Sequence, residues 1–202
     1  MAIKVIVFDF DGTLVDSNRL KYDAYFELFP QDEWHAQTVR KVLSEMFEES
    51  RFVILEEILR RLGDNAGMDL KQRSRELADR YNDIVLAGAK ECPEKPGAHK
   101  LLQAFVKTYK LYVSSTTPES ALTEIIHFRK WGHYFQGILG YPREKSKTLQ
   151  NIIEQEKVES SEVLVVGDGE SDRKSAVDNG CPFIHISENF HLKELTGLVA
   201  GL

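Results

Sequence analysis

Asp9 and Asp11 stand two residues apart at the end of an apolar stretch. A second acidic pair, Asp168 and Asp172, closes another apolar stretch far along the chain. Between them a hydroxyl run, Ser114-Ser115-Thr116-Thr117, ends a third. Carboxylates gathered beside apolar walls repel one another and lose hydration. A hard divalent cation resolves both problems. Oxygen ligands, with no Cys/His cluster in the sequence, favour Mg²⁺ over zinc. The same cation neutralises phosphate oxygens and orients a phosphorylated substrate. A carboxylate can attack phosphorus to form an aspartyl-phosphate. A second acid two residues on can protonate the leaving oxygen and then activate water. Gly12 permits a turn that a larger side chain would strain, and the Thr13 hydroxyl can tie that turn to the backbone.

These groups meet only if the strands that carry them are neighbours. Ile3 to Phe10 is a nearly continuous apolar run rich in β-branched and aromatic residues, which predicts a central strand buried on both faces. From 17 to 90 the texture is helical. Leu20, Ala24, Tyr25, Leu28 and Phe29 repeat at helical spacing, as do Phe52, Leu55, Ile58, Leu59 and Leu62. A further helix is expected over 70–87, and Pro30 and Gly63-Asp64-Asn65 punctuate the block. Pro93 and Pro96-Gly97 mark a boundary. Beyond it strands and helices alternate: helix from 98, strand 111–115, helix 119–130, strand 137–139, helix 147–157, strand 163–166, helix 171–179 and strand 183–186. Alternation of this kind predicts an α/β fold, a Rossmann-like parallel sheet with helices on both faces. Ligands gather at the carboxyl ends of such strands, where the three polar sets fall. The expected division is a core of residues 1–15 and 92–202, with an all-helical domain of residues 16–91 inserted after the first strand.

Composition narrows the function classes. A chain of 202 residues can bury a full core. Its net charge of −6 argues against a general nucleic-acid binder, which needs a basic face. No apolar run approaches the roughly 18 residues that span a bilayer, and Asp9 and Asp11 interrupt the apolar start, so a secretory leader is not expected. Cys92 and Cys181 form no CxxC or metal spacing and are expected as free thiols in a reducing cytoplasm. The histidines form no constellation.

Asp9-Phe10-Asp11-Gly12-Thr13 after an N-terminal apolar strand resembles the first signature of haloacid dehalogenase-like phosphatases. Ser114 resembles their second signature, Lys145 in Pro-Arg-Glu-Lys-Ser-Lys their third, and Gly167-Asp168-Gly169-Glu170-Ser171-Asp172 their fourth. The resemblance implies these roles: Asp9 as nucleophile and metal ligand, and Asp11 as general acid/base with its backbone carbonyl on the metal. It implies that Ser114, with the backbone of Ser115, holds the phosphoryl group and that Lys145 balances charge. Asp168 would bind Mg²⁺ directly, and Asp172 directly or through water. The helical insertion resembles the cap of the phosphoglycolate-phosphatase-like branch, expected to close over the site and exclude water. The resemblance also implies that haloalkanoate dehalogenases lack an acid at the position of Asp11, so its presence favours phosphoryl transfer over dehalogenation.

Plainer readings compete. Asp9 and Asp11 could be a structural turn, and Asp172 could cap the following helix. Ser114 could be a strand-end hydroxyl, with Ser115 or Thr116 in its stead. Lys147 rivals Lys145, but the apolar face at Leu149, Ile152 and Ile153 begins one turn after Lys145 and places that lysine just before the helix. Trp34 and Trp131 are expected in cap and core packing, with substrate stacking as the other reading of Trp34. Specificity is expected from cap segments 16–25 and 46–51, with Arg19, Lys21 and Arg51 as candidate anion contacts. The expected activity is a Mg²⁺-dependent phosphatase acting on a small phosphorylated metabolite. The alternatives are a phosphomutase and a non-catalytic binding protein on the same scaffold. The expected partners are that metabolite alone, no nucleic acid and no membrane, in a monomer or homodimer.

Overall fold

Val5–Phe8 (β1) is apolar at every position and buried at every position. Side chains alternate across a strand, so Val5 and Val7 face one side of the sheet while Ile6 and Phe8 face the other. Only a strand covered on both faces accepts that sequence. The computed structural model describes residues 2–46, 49–63, 69–187 and 189–201. These form two compact units, Met1–Ser17 with Cys92–Leu202, and Asn18–Glu91.

The second unit consists of helices Asn18–Glu27 (α1), Glu33–Met46 (α2), Arg51–Leu62 (α3) and Leu70–Glu91 (α4). Its core joins Tyr25, Val42, Leu55, Ile58, Leu59, Leu77 and Tyr81. Ser50 caps α3 by accepting from the Val53 amide, and Gly63 ends it in the left-handed region at φ 71°. Gly88 lets α4 approach α1, because a Cβ there would lie 2.5 Å from Leu20 Cδ1. Trp34, expected in packing, is instead 61% exposed on α2. Its neighbours Val39, Val42 and Leu43 fill the core-facing stripe and leave Trp34 on the outer arc of the helix. Phe47 and Glu48 of the 46–51 segment, and Asp64-Asn65 of the turn after α3, lie outside the described residues.

The first unit continues with Ala98–Phe105 (α5), Lys110–Pro118 (β2), Glu119–Phe128 (α6), Phe135–Tyr141 (β3), Lys145–Glu156 (α7), Val163–Gly167 (β4), Glu170–Asn179 (α8), Phe183–His185 (β5) and Leu195–Ala200 (α9). The strands form one parallel sheet in the order β3-β2-β1-β4-β5. On one face Val5, Val7, Tyr112, Val163 and Val165 pack against Leu149 and Ile152 of α7 and Ala176 of α8. Trp131 is buried, as expected for core packing. Two boundaries differ from the sequence reading in ways that bear on the site. Strand β2 runs on to Pro118, and α7 begins at Lys145 rather than after it. The C-terminal helix α9, with the short turn Leu192–Glu194 before it, carries too brief an apolar pattern to be read from sequence. Among the described residues no helix is long and apolar enough to cross a membrane.

Candidate active site

Strand register builds the site. Phe8 pairs with Val113 on one side and with Val166 on the other. The next residues, Asp9, Ser114 and Gly167, therefore stand abreast at the carboxyl edge, about 4.8 Å apart from strand to strand. The Asp9 amide still donates to the Val166 carbonyl at 2.8 Å, so the nucleophile candidate sits on the last rung of the ladder. The chain then folds back. Gly12 takes φ 74°, which other residues adopt only under strain, and the Leu14 and Val15 amides both donate to the Phe10 carbonyl.

Lys145, the first residue of α7, reaches into this edge. Its ammonium donates to Asp9 Oδ1 at 2.7 Å and to Asp172 Oδ1 at 2.6 Å, with its side chain 9% exposed. Lys147 instead donates to Gln150 on the surface. Lys145 thus starts the helix, because the approach to Asp9 comes from the helix's first turn. Asp172 divides its two oxygens. Oδ2 accepts from the Gly169 amide at 3.2 Å, a cap on α8, while Oδ1 faces the lysine. Asp172 therefore caps α8 with one oxygen and meets Lys145 with the other. Gly167 makes room for it, since a Cβ there would lie 2.3 Å from Asp172 Cγ. Ser114 lines a small cavity with Asp9, Lys145 and Asp172.

Asp11 is turned elsewhere. Ser17 donates to its Oδ1 at 2.6 Å, and Thr117 donates to its Oδ2 at 2.7 Å. Ser115 Oγ adds a longer contact at 3.4 Å and accepts from the Thr117 amide. The Ser115 hydroxyl is thus engaged with Asp11 and with the backbone of its own strand. The Thr13 hydroxyl, expected on the backbone, lies 3.5 Å from Asp168 Oδ1. Sequence reading missed Ser17 and the role of Thr117. The run Ser114 to Thr117 was visible, but its partner Asp11 is about a hundred residues away and nothing local announces it. Of the candidate cap cations, Arg19 pairs with Asp23 on the surface and Arg51 bonds Asn82.

Electrostatics decide what this cluster needs. Burial pushes the Asp9 carboxyl above the ordinary carboxylate range. Lys145 pulls against that, while Asp172, Asp11 and Asp168 push the same way as burial. Asp172 is likewise raised by burial and drawn back by Lys145. For Lys145 burial alone would favour the neutral amine, but the two carboxylates outweigh it and hold the ammonium protonated. One ammonium leaves this many buried acids under-compensated. Carboxylate oxygens of Asp9, Asp168 and Asp172 also lie within 4.8 Å of one another, and all are hard donors. The residues present therefore fit a divalent cation with oxygen ligands. The Asp11 carboxylate is not in that cluster.

A family model for haloacid dehalogenase-like hydrolases matches residues 6–186. The chain belongs to this family. No curated protein sequence matches it. Among solved structures, a haloacid dehalogenase-like family hydrolase from Streptococcus pneumoniae is similar at TM-score 0.69 and 24% identity, over 96% of this chain and 90% of that one. The YfnB protein of Bacillus subtilis, determined bound to magnesium, has TM-score 0.74 at 14% identity, over 99% and 100% of the two chains. A predicted phosphoglycolate phosphatase from Haemophilus somnus has TM-score 0.68 at 18% identity, over 95% and 90%. At these identities the structural likeness establishes a shared haloacid dehalogenase-like fold, and the chemistry has to be argued from the site.

Proposed function

We propose that this haloacid dehalogenase-like hydrolase is a Mg²⁺-dependent phosphatase of a small phosphorylated metabolite, acting in the cytoplasm through an aspartyl-phosphate on Asp9. The observation that carries this reading is the pair of buried carboxylates held differently, Asp9 against Lys145 and Asp11 among hydroxyls. Two acids in distinct environments suit one for attack and the other for proton transfer. Asp9, Asp168 and Asp172, with the Asp11 backbone carbonyl, would hold the ion. When bound, Mg²⁺ supplies charge neutralisation on the phosphate oxygens.

The chain's own residues do the rest. An Asp9 carboxylate oxygen attacks phosphorus as the bond to the leaving oxygen breaks, and Asp11 gives that oxygen a proton. Water then attacks the phosphoryl group, Asp11 takes its proton, and inorganic phosphate leaves with Asp9 restored. Ser114 and the backbone of Ser115 steady the phosphoryl oxygens, and Lys145 offsets charge on Asp9 as it reacts. A dehalogenase has no leaving oxygen to protonate, so a positioned Asp11 favours the phosphatase. Residues 16–91 are assigned as the cap and the source of substrate selectivity.

Phosphate release is to be measured across a panel of phosphorylated metabolites, with and without Mg²⁺, beside Asp9→Asn. Release that requires both the metal and Asp9 supports the proposal. Release that survives Asp9→Asn or removal of the metal overturns it, and a stable phosphoenzyme with little net release points to the mutase.

A further inference from the structure

Lys145 stands at the first position of α7, and the residue before it, Glu144, makes no side-chain cap. The turn is held by the Thr148 amide donating to the Glu144 carbonyl at 2.9 Å and by Leu149 and Ile152 packed on the sheet. A further bond comes from the far end of α8. The Asn179 side chain donates through Nδ2 to the Ser146 carbonyl at 3.0 Å and to the Ser175 carbonyl at 2.9 Å. Both partners are carbonyls, so the amide orientation is chemically determined: the NH₂ must face them. The Ser146 carbonyl has a second lone pair for this purpose beyond its helical one. The contact is reinforced at its edge, where the Ser146 hydroxyl donates to Asp178 Oδ2 at 2.6 Å and Lys174 reaches the same oxygen at 2.8 Å.

Asp172, Ser175 and Asn179 lie at i, i+3 and i+7, one face of α8. Ser175 Oγ donates to the Asp172 carbonyl at 2.8 Å, so the face is bonded along its length. The helix that presents Asp172 to Lys145 is thus the helix that grips the residue after Lys145. Asn179 is the last residue of α8 before Gly180, which ends the helix at φ 68°, and its side chain bridges two carbonyls there.

We propose that Asn179 is a positioning residue: its amide locks the first turn of α7 to α8 and so sets the Lys145 ammonium between Asp9 and Asp172. This deepens the phosphatase reading and rests on it for its kinetic consequence. Charge balance on Asp9 depends on where the ammonium stands, and a shift of about 1 Å in such a group can cost up to about 100-fold in rate.

The test compares wild type, Asn179→Ala and Asn179→Ser in full-length protein, by crystal structure and by Mg²⁺-dependent kinetics on the best substrate of the panel. The serine can return a bond to the Ser175 carbonyl within its own helix but cannot bridge to Ser146. It therefore keeps the helix end and removes only the bridge, and it serves if the alanine variant does not fold. The expected result is kcat lower by about 10-fold with KM changed less than about 3-fold, and Lys145 Nζ withdrawn from Asp9 or Asp172 in the variant crystal. Lys145 found in its wild-type place overturns the proposal, whatever the rate. So does an unchanged kcat in an active enzyme. If wild type releases no phosphate from any substrate, the phosphatase reading fails on its own account, and the crystallographic comparison still decides the role of Asn179.

Discussion

Gly167→Ala is the sharpest test of how the site is packed. A Cβ at 167 would lie 2.3 Å from Asp172 Cγ, 2.5 Å from its Oδ2 and 2.6 Å from its Cβ, where ordinary contact begins at 3.4 Å. Asp172 would have to retreat by about 1 Å to restore normal carbon contacts. It cannot do so and keep its bonds, because Oδ1 is 2.6 Å from Lys145 and Oδ2 is 3.2 Å from the Gly169 amide. At about 3.6 Å the lysine contact is no longer a hydrogen bond. A bond to a charged group is worth about 1.5–3 kcal/mol, and overpacking adds a cost of about 1–3 kcal/mol to folding. Each 1.4 kcal/mol is about tenfold in rate, so kcat should fall about 10- to 100-fold if the bond matters in the transition state. The melting temperature should fall by several degrees, at about 2–4 °C per kcal/mol for a chain of this size. Gly169→Ala is the companion, since its Cβ would meet Asp172 Oδ2 at 3.4 Å, and its loss should be much smaller. Phosphate release and thermal melting on the same preparations read both effects. A Gly167→Ala protein that melts and turns over like wild type would refute the packing argument.

Other expectations follow from the same geometry. Ser17→Ala and Thr117→Val each remove one donor from the Asp11 carboxylate, so each should lower kcat by about 10-fold or more with little change in KM, and the Thr117→Ser variant should recover most of the loss. Mg²⁺ should raise the melting temperature of wild type, by about 2.7 kcal/mol of stability at 100 times its dissociation constant, and should do so weakly in Asp9→Asn. Without metal the order should reverse. Burial raises the Asp9 carboxyl, so its charge opposes folding above the ordinary carboxylate range, and the neutral amide should melt higher. Burial works to raise the Glu156 carboxyl, but the bonds from Lys110 and Tyr112 outweigh it and hold the group low. A lowered carboxyl stabilises the fold above its unfolded value of about 4.3 and loses that gain as pH falls through the folded value. Glu156→Gln should therefore melt below wild type at neutral pH, with the gap narrowing as pH falls below the ordinary carboxylate range; a gap that does not narrow at all in acid would argue against the linkage.

Much of the first unit was legible because its signals are local. An apolar run too continuous for a half-exposed strand marked β1, and helical spacing separated the all-α unit from the alternating one. Asp9 and Asp168 could be assigned to strand ends because there the apolar run and the strand stop together, whereas Ser114 ends the apolar run of β2 but lies within a strand that continues to Pro118. Sequence also favoured Lys145 over Lys147, from the phase of the following apolar face. Tertiary structure decided how those groups are oriented. Ser17 and Thr117 close on Asp11 from different parts of the chain, and Asn179 reaches Ser146 from the next helix. Periodicity reports which side of an element meets the core, and every one of these residues lies at an element's edge, where burial alternation carries no information. Trp34 shows the same limit from the other side: its hydrophobicity suggested burial, but the phase of α2 had already given the inward stripe to its neighbours. The residue types and their order therefore specified the chemistry that could occur. The crossing of strands and helices specified which side chains hold each carboxylate, because hydrogen bonds across long sequence separations exist only once the sheet has assembled.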